Sequence, residues 1–381
     1  MRAIIACAGS GGHINPGIAI ANTIKTNEPE SEILFIGTKT GMENDLVKKA
    51  GYNIVHVRTG RLHRRITLQN IRNIYNAIAG VSDTMKIISE FKPDVVIGTG
   101  GFVCLTVMKA AKKKQVPYIL HESNAYPGLS VKLVAKDAKK VLLGFEEAKV
   151  KLPEGTNTVY TGTPAKFDMD DILRLDKNEC RSAIISDDRK IVFVTGGSQG
   201  AIKFNQTIID MVKKYKPKDI FFVIAVGPRN YDNVIQSLKD EKDIGKYLKV
   251  EKFVYEMDKM YKASDLLITR AGAMTITELS ISRRPAILIP LPTAAENHQL
   301  FNAKAMENAG AAIVIEENIL NPDVLYDKIE EVISKEKLLK TMGDNAAKLY
   351  RPNVEQDIYN EIKLVVKWKK IKKWEENQKE K

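Results

Sequence analysis

Ile4-Ile5-Ala6-Cys7-Ala8-Gly9-Ser10-Gly11-Gly12-His13, near the amino terminus, and Ile191-Val192-Phe193-Val194-Thr195-Gly196-Gly197-Ser198-Gln199-Gly200, midway along the chain, are two copies of one pattern. In each, a short apolar run reads as a buried strand, stops at clustered glycines, and gives way to a helical periodicity. Strand, glycine turn and helix open a doubly wound α/β domain, and the recurrence predicts two such domains.

The flanking sequence extends both copies. Apolar runs at residues 33–36, 95–98, 118–121 and 140–143 follow the first, and runs at 221–226, 266–269 and 286–289 follow the second. Helical patterns at 16–26, 41–50, 68–79, 130–138, 202–214, 275–282 and 300–308 lie between them. Alternation of this kind makes parallel sheets with helices on both faces. The predicted fold is therefore α/β, two Rossmann-like doubly wound domains. In such sheets ligands sit at the carboxyl ends of the strands, so two facing domains would bring both glycine turns to one cleft. Gly162-Thr163-Pro164 and the polar stretch after it mark the joint. The expected domains are residues 1–164 and 165–350, with residues 351–381 a helix returning to the first domain and ending in a basic tail. In that tail Leu364, Trp368 and Ile371 form one stripe edged by Trp374 and surrounded by Lys363, Lys367, Lys369, Lys370, Lys372 and Lys373. Docking on the first domain and direct contact with a membrane surface both suit it.

Of 381 residues, 44% are hydrophobic and 28% charged, which suits packed cores and excludes disordered, collagen-like or rod-like chains. The 59 basic and 47 acidic side chains leave a net +12, so an anionic partner is favoured. Cys7, Cys104 and Cys180 are odd in number and imply no disulfide framework, which fits a reducing cytoplasm. The apolar amino-terminal segment is too short for a signal peptide. The window 95–108 is interrupted by glycines and too short to span a bilayer.

His13 stands at the start of a helix beside the first glycine turn, where an imidazole could take a proton from an attacking hydroxyl. A capping histidine would read the same. The turn fails as a dinucleotide fingerprint, since its six-residue frame ends in Ile14 and the second strand ends in Gly37-Thr38 without the ribose-binding acid. Gly98-Thr99-Gly100-Gly101-Phe102 repeats the turn, with glycines where backbone approaches a ligand. Thr269-Arg270-Ala271-Gly272-Ala273-Met274 opens a helix whose free N–H groups would suit a diphosphate, and Glu278 one turn later could accept from two vicinal hydroxyls. Pro290-Leu291-Pro292 leads a polar loop to His298 and Gln299, where sugar hydroxyls could bind. Asp168-Met169-Asp170 has the form of a metal-binding D-x-D but falls in the polar joint, and no metal site is expected.

Taken together these segments resemble the MurG-type peptidoglycan N-acetylglucosaminyltransferases, two-domain GT-B enzymes, over nearly the whole chain. The resemblance rests on residues 9–16, 98–102, His121-Glu122-Ser123-Asn124, 196–201, 253–257, 270–278 and 298–303. It implies an inverting, metal-independent transfer of N-acetylglucosamine from UDP-N-acetylglucosamine to the C4 hydroxyl of lipid I, forming lipid II for the bacterial cell wall, with no cofactor. His13 is implied as general base. Ser10, Gly11 and Gly12, with Gly100 and Gly101, would face the acceptor diphosphate, and Ser10, Gly11 and Gly12 would also contact the donor. Asn124 would help position the sugars near the reacting centre, and Asn124 and Lys166 would belong to the UDP-N-acetylglucosamine contacts. Ser198 and Gln199 would contact UDP phosphate, Phe253 and Val254 would flank uracil, and Ala273 and Met274 would close the phosphate loop. Glu278 would hold the ribose, and His298 and Gln299 the sugar. Leu68, Ile71, Tyr75 and Ile78, with Ile74, beside Arg64, Arg65 and Arg72 and Arg61, would form a patch on the anionic inner membrane. The implied location is peripheral, at the cytoplasmic face, with other cell-wall and division proteins as partners and no nucleic acid. The chain departs from the family pattern at Ser123, Thr163, Lys166 and His298.

Three rivals remain at this level. Gly196-Gly197-Ser198-Gln199-Gly200 satisfies the G-x-S-x-G of α/β-hydrolases, with Asp265 and His298 downstream in the required order. Fold relatives acting on other lipids, or epimerising UDP-N-acetylglucosamine, are a second. A non-catalytic basic protein tethering nucleic acid or membrane would account for the charge but not for His13 and Glu278.

Overall fold

The computed structural model describes residues 1–60, 68–165, 167–197 and 201–379, with backbone alone for 68–74 and 372–379. The chain forms two compact units, Met1–Pro164 with Asn353–Lys381, and Ala165–Pro352.

The first unit is a seven-stranded sheet of β1 (Arg2–Ala6), β2 (Glu32–Gly37), β3 (Asn53–His56), β4 (Val95–Gly98), β5 (Tyr118–Glu122), β6 (Lys140–Leu143) and β7 (Thr158–Tyr160), in the order β3-β2-β1-β4-β5-β6-β7. The second is a six-stranded sheet of β8 (Lys190–Thr195), β9 (Ile220–Ala225), β10 (Leu248–Glu251), β11 (Leu266–Thr269), β12 (Ala286–Leu288) and β13 (Ala312–Val314), in the order β10-β9-β8-β11-β12-β13. Every pairing is parallel. The strand order reverses at β1/β4 and at β8/β11, and these are the switch points where ligands enter doubly wound folds.

Central strands are largely apolar because helices cover both faces. Seven helices position the site: α1 (Gly11–Asn27), α2 (Leu68–Phe91), α3 (Phe102–Lys113), α4 (Ile202–Tyr215), α5 (Ala273–Ser282), α6 (His298–Asn308) and α7 (Val354–Lys379). One core of the first unit joins Ile4, Val96 and Leu120 to Val103 and Val107 of α3, with Val81 and Met85 of α2 packed on it. The other joins Ile5, Phe35, Ile97 and Ile119 to Ile20 and Ile24 of α1 and to Ile358, Ile362, Val365 and Val366 of α7.

The carboxyl-terminal helix thus belongs to the first unit. Glu28 fastens it: its carboxylate accepts from the Met1 ammonium at 2.9 Å, the Tyr359 hydroxyl at 2.8 Å and Lys363. Partial burial would raise the Glu28 carboxyl, but the hydrogen bonds from Lys363, the amino terminus and Tyr359 prevail and hold it at about 2. The stripe of Leu364, Trp368 and Ile371 is not the docking face. It points to solvent, at 57%, 42% and 48% exposure, while Lys139 sits over the Trp368 ring at 3.7 Å.

Candidate active site

After β1 the chain turns at Gly9, whose φ of +101° suits glycine, and Ser10 stands just before α1, its carbonyl accepting from His13 N and Ile14 N at 3.0 and 3.2 Å. The helix begins at Gly11, five residues before Pro16, so Gly11, Gly12 and His13 form its first turn and not a free loop. Buried Glu43 holds the turn from beneath, accepting from Thr38 N and Oγ1 at 2.9 and 2.6 Å and from Gly9 N at 3.4 Å.

The second glycine cluster has a specific purpose here. A Cβ on Gly100 would lie 2.4 Å from His13 Nδ1 and 2.8 Å from its Cε1, and Gly100 has a φ of +110°. A Cβ on Gly101 would lie 2.2 Å from the Ala8 carbonyl oxygen. These two glycines therefore admit neighbouring protein: the His13 ring rests on Gly100, and the two turns close on each other. The Thr99 hydroxyl donates to the His13 carbonyl at 2.7 Å and fixes the backbone of the same residue.

The end of β5 is a buried polar network. His121 Nε2 meets the Gly162 carbonyl at 3.1 Å, so that nitrogen carries the proton and Nδ1 accepts from the Ser123 hydroxyl at 3.2 Å. Burial lowers its pKa to about 4, against the pull of the Gly162 carbonyl, so the ring is neutral. Glu122 Oε1 accepts from Asn124 N and Nδ2, both at 3.0 Å, and Oε2 accepts from Gly128 N at 2.9 Å. Asn124 is thereby held in place while nearly buried.

In the second unit Gly197 turns with a φ of +88° after β8, and Ala201 caps α4. Ser198 and Gln199, like Lys166, lie outside the described residues. Past β10, Phe253 and Tyr255 are exposed with ring centroids 4.8 Å apart, and Val254 between them is half-buried. Past β11, Arg270 is buried and donates to the Ile289 and Pro290 carbonyls at 3.1 and 3.3 Å, pairs with Glu317, and lies over Phe204 at 5.2 Å. It joins the ends of β11 and β12. Gly272 caps α5, whose first turn contains buried Ala273 and half-buried Met274, and Asn302 of α6 donates to the Ala271 carbonyl at 3.1 Å. Glu278 is buried, and the Tyr261 hydroxyl donates to its Oε2 at 3.1 Å.

Glu296 and Asn297 precede α6 with φ of +52° and +54°. Consecutive left-handed non-glycine residues cost about 1–3 kcal/mol each and concentrate at functional sites. They set down His298, whose Nδ1 meets the Ala295 carbonyl at 2.6 Å; burial lowers its pKa, so the neutral ring turns an accepting Nε2 away from that bond. Gln299 Oε1 accepts from Leu291 N at 3.0 Å, which leaves its amide as donor.

Two sequence alternatives are corrected. Asp265 begins β11 and is bound by Lys177 and Arg181 at 2.9 Å each and by Ile191 N at 2.9 Å, while His298 follows the opposite end of β12. Burial would raise Asp265, yet these donors hold it low, and it is a structural carboxylate, not a triad member. Asp168 caps the helix Met169–Arg174 in a reciprocal capping box with Asp171. Glu43, Thr99, Tyr261, Arg270 and Asn302 support these residues; Thr99, Arg270 and Asn302 lie within the sequence motifs, Glu43 and Tyr261 outside them.

Of the residues expected to form a membrane patch, Tyr75 and Ile78 are 65% and 67% exposed on α2. Arg64, Arg65 and Arg61 lie outside the described residues, as do the side chains of Leu68, Ile71, Arg72 and Ile74. Among the described residues no helix is long and apolar enough to cross a membrane.

Comparison with known proteins matches residues 3–143 to the glycosyltransferase family 28 N-terminal domain and residues 191–358 to the glycosyltransferase family 28 C-terminal domain. The UDP-N-acetylglucosamine--N-acetylmuramyl-(pentapeptide) pyrophosphoryl-undecaprenol N-acetylglucosamine transferase of Thermoanaerobacter sp. (strain X514) is 37% identical over 367 residues, 96% of this chain and 100% of that one. The protein of the same name from Alkaliphilus oremlandii is 37% identical over 369 residues, 97% and 100% of the two chains. The crystal structure of Acinetobacter baumannii MurG superposes with a TM-score of 0.77 at 25% identity, covering 95% of this chain and 99% of that one. The chain belongs to glycosyltransferase family 28 and, within it, to the MurG-type N-acetylglucosaminyltransferases.

Proposed function

We propose that this chain transfers N-acetylglucosamine from UDP-N-acetylglucosamine to the C4 hydroxyl of the muramyl sugar of lipid I, giving lipid II with inversion and without a metal. The observation that carries the reading is the seat built for His13, whose ring rests on side-chain-free Gly100 and whose carbonyl is held by Thr99. A fixed imidazole at a switch point is what a general base requires.

In this reading His13 takes the proton as the C4 oxygen bonds to the anomeric carbon, and the bond to the phosphate oxygen breaks with its electron pair leaving on UDP. Ser10, Gly11, Gly12 and the backbone at Gly100 and Gly101 face the acceptor diphosphate, and Asn124 and Lys166 orient the reacting sugars. Ser198, Gln199, Ala273 and Met274 receive the departing diphosphate, where the first turns of α4 and α5 offer unpaired N–H groups. Val254, flanked by Phe253, borders the uracil, and Glu278 accepts from the ribose hydroxyls. His298 accepts from, and Gln299 donates to, the sugar.

The net +12 and the exposed Tyr75 and Ile78 support peripheral binding to the anionic cytoplasmic face of the bacterial membrane, where lipid I and other cell-wall and division proteins would be met. The test is product analysis with UDP-N-acetylglucosamine and a short-chain lipid I analogue in EDTA. A β-linked disaccharide product is expected. Absence of product from a folded, UDP-binding protein would overturn the acceptor assignment, and dependence on added divalent ion would overturn the metal-free mechanism.

A further inference from the structure

We infer that Tyr261 is a positioning residue for donor recognition: its buried hydroxyl aims the Glu278 carboxylate at the ribose, so that affinity for the nucleotide depends on a side chain that never touches it. The inference rests on the assignment of Glu278 to the ribose.

Tyr261 lies in the short helix Met257–Ala263 and is fully buried. Its ring is wedged edge-on by Phe193 of β8, at 6.4 Å between centroids, and by Phe167, at 5.8 Å. Those contacts leave the ring no freedom to swing, and its hydroxyl reaches Glu278 Oε2 at 3.1 Å. Burial first, and then the Glu278 charge, push the phenol pKa well up, so the group stays a protonated donor. A glutamate on a helix has three rotatable torsions, and a carboxylate that must accept from two vicinal hydroxyls has to hold its plane. The hydrogen bond to Oε2 fixes that plane before the nucleotide arrives, so the ordering cost is met in the free protein. Phe167 is the third residue of the second unit, so the wedge that holds Tyr261 comes from the start of that unit.

The test is calorimetric titration of the full-length wild type, Tyr261→Phe and Glu278→Ala with UDP and with 2′,3′-dideoxyuridine diphosphate. Tyr261→Phe keeps the ring packing and removes only the donor. It is expected to weaken UDP binding by about five- to tenfold, the scale of one net hydrogen bond, because the donor acts on the nucleotide only through Glu278. It should leave the dideoxy analogue's affinity unchanged, and raise KM for the donor while kcat holds. Glu278→Ala should abolish the preference for UDP over the analogue. If Tyr261→Phe weakens both ligands equally, or weakens neither while Glu278→Ala removes the preference, the positioning role is wrong and the ribose assignment stands. If Glu278→Ala keeps the preference, the ribose assignment fails and the inference with it.

Discussion

Replacing Gly100 by alanine isolates the seat of His13. The new Cβ would stand 2.4 Å from His13 Nδ1, and ordinary contact begins at 3.4 Å, so the ring must move by 3.4 − 2.4 = 1.0 Å. A displacement of about 1 Å in a reacting group costs on the order of 100-fold in rate. The φ of +110° adds roughly 1–3 kcal/mol of backbone strain, and the melting temperature should fall by about 2–10 °C for a unit of this size. Since Gly100 belongs to the first unit and the nucleotide is assigned to the second, UDP affinity should not change. Two neighbours supply the contrast. A Cβ on Gly12 meets nothing nearer than Ser10 Oγ at 3.6 Å, so Gly12→Ala should fold normally and keep kcat, with KM for the acceptor raised if the backbone there faces its diphosphate. A Cβ on Gly101 meets the Ala8 backbone oxygen at 2.2 Å, which cannot swing aside, so Gly101→Ala should lose the fold of the first unit. The assay is acceptor-dependent release of UDP, with calorimetric UDP binding and thermal denaturation alongside. A folded Gly100→Ala protein with kcat within threefold of wild type would refute the reasoning.

The buried His121 makes stability depend on pH. Its folded pKa of about 4 lies below the unfolded 6.5, so its contribution is complete above pH 6.5 and is lost as pH falls through about 4; over that span it amounts to about 3 kcal/mol, of which about 2 should vanish between pH 7.5 and 5. Denaturant titration should show that slope in the wild type and its loss in His121→Asn; equal slopes would contradict the assignment. Arg270→Ala strips the Ile289 and Pro290 carbonyls of their donor and leaves Glu317 without its cation, and should cost about 3–5 kcal/mol; a loss under about 1 kcal/mol by the same titration would show that Arg270 is dispensable to the second unit. Charging the exposed α2 face with Tyr75→Glu and Ile78→Glu should weaken binding to phosphatidylglycerol vesicles by about tenfold or more, and unchanged sedimentation with vesicles would remove this face from the membrane contact.

The central architecture is legible in the sequence because β1, β4, β5, β8, β9, β11 and β12 are covered on both faces and read as continuous apolar runs. The strands that the apolar runs do not reveal are β3, β7, β10 and β13, and each is an edge strand. Asn53-Ile54-Val55-His56 and Leu248-Lys249-Val250-Glu251 mix polar and apolar positions because one flank of an edge strand meets solvent. The helix start at Gly11 is hidden by Pro16, a residue that usually opens a helix and here sits within one. In the site, turn glycines, His13 and Glu278 announce themselves by residue type and spacing. The supports do not. Thr99 holds a residue far away in sequence, Tyr261 reads as one more core aromatic, and nothing in the sequence around Gly100 shows that His13 fills the space where its Cβ would stand. Such roles depend on contacts across the sheet, which periodicity cannot report.

The proposed transfer turns on His13, and the most direct measurement compares the wild type with His13→Ala for UDP release from UDP-N-acetylglucosamine, with and without a short-chain lipid I analogue. The prediction is release that requires the acceptor and falls by a factor of about 100 or more in the variant, with UDP binding intact. Acceptor-dependent release that persists in a folded His13→Ala protein would contradict it.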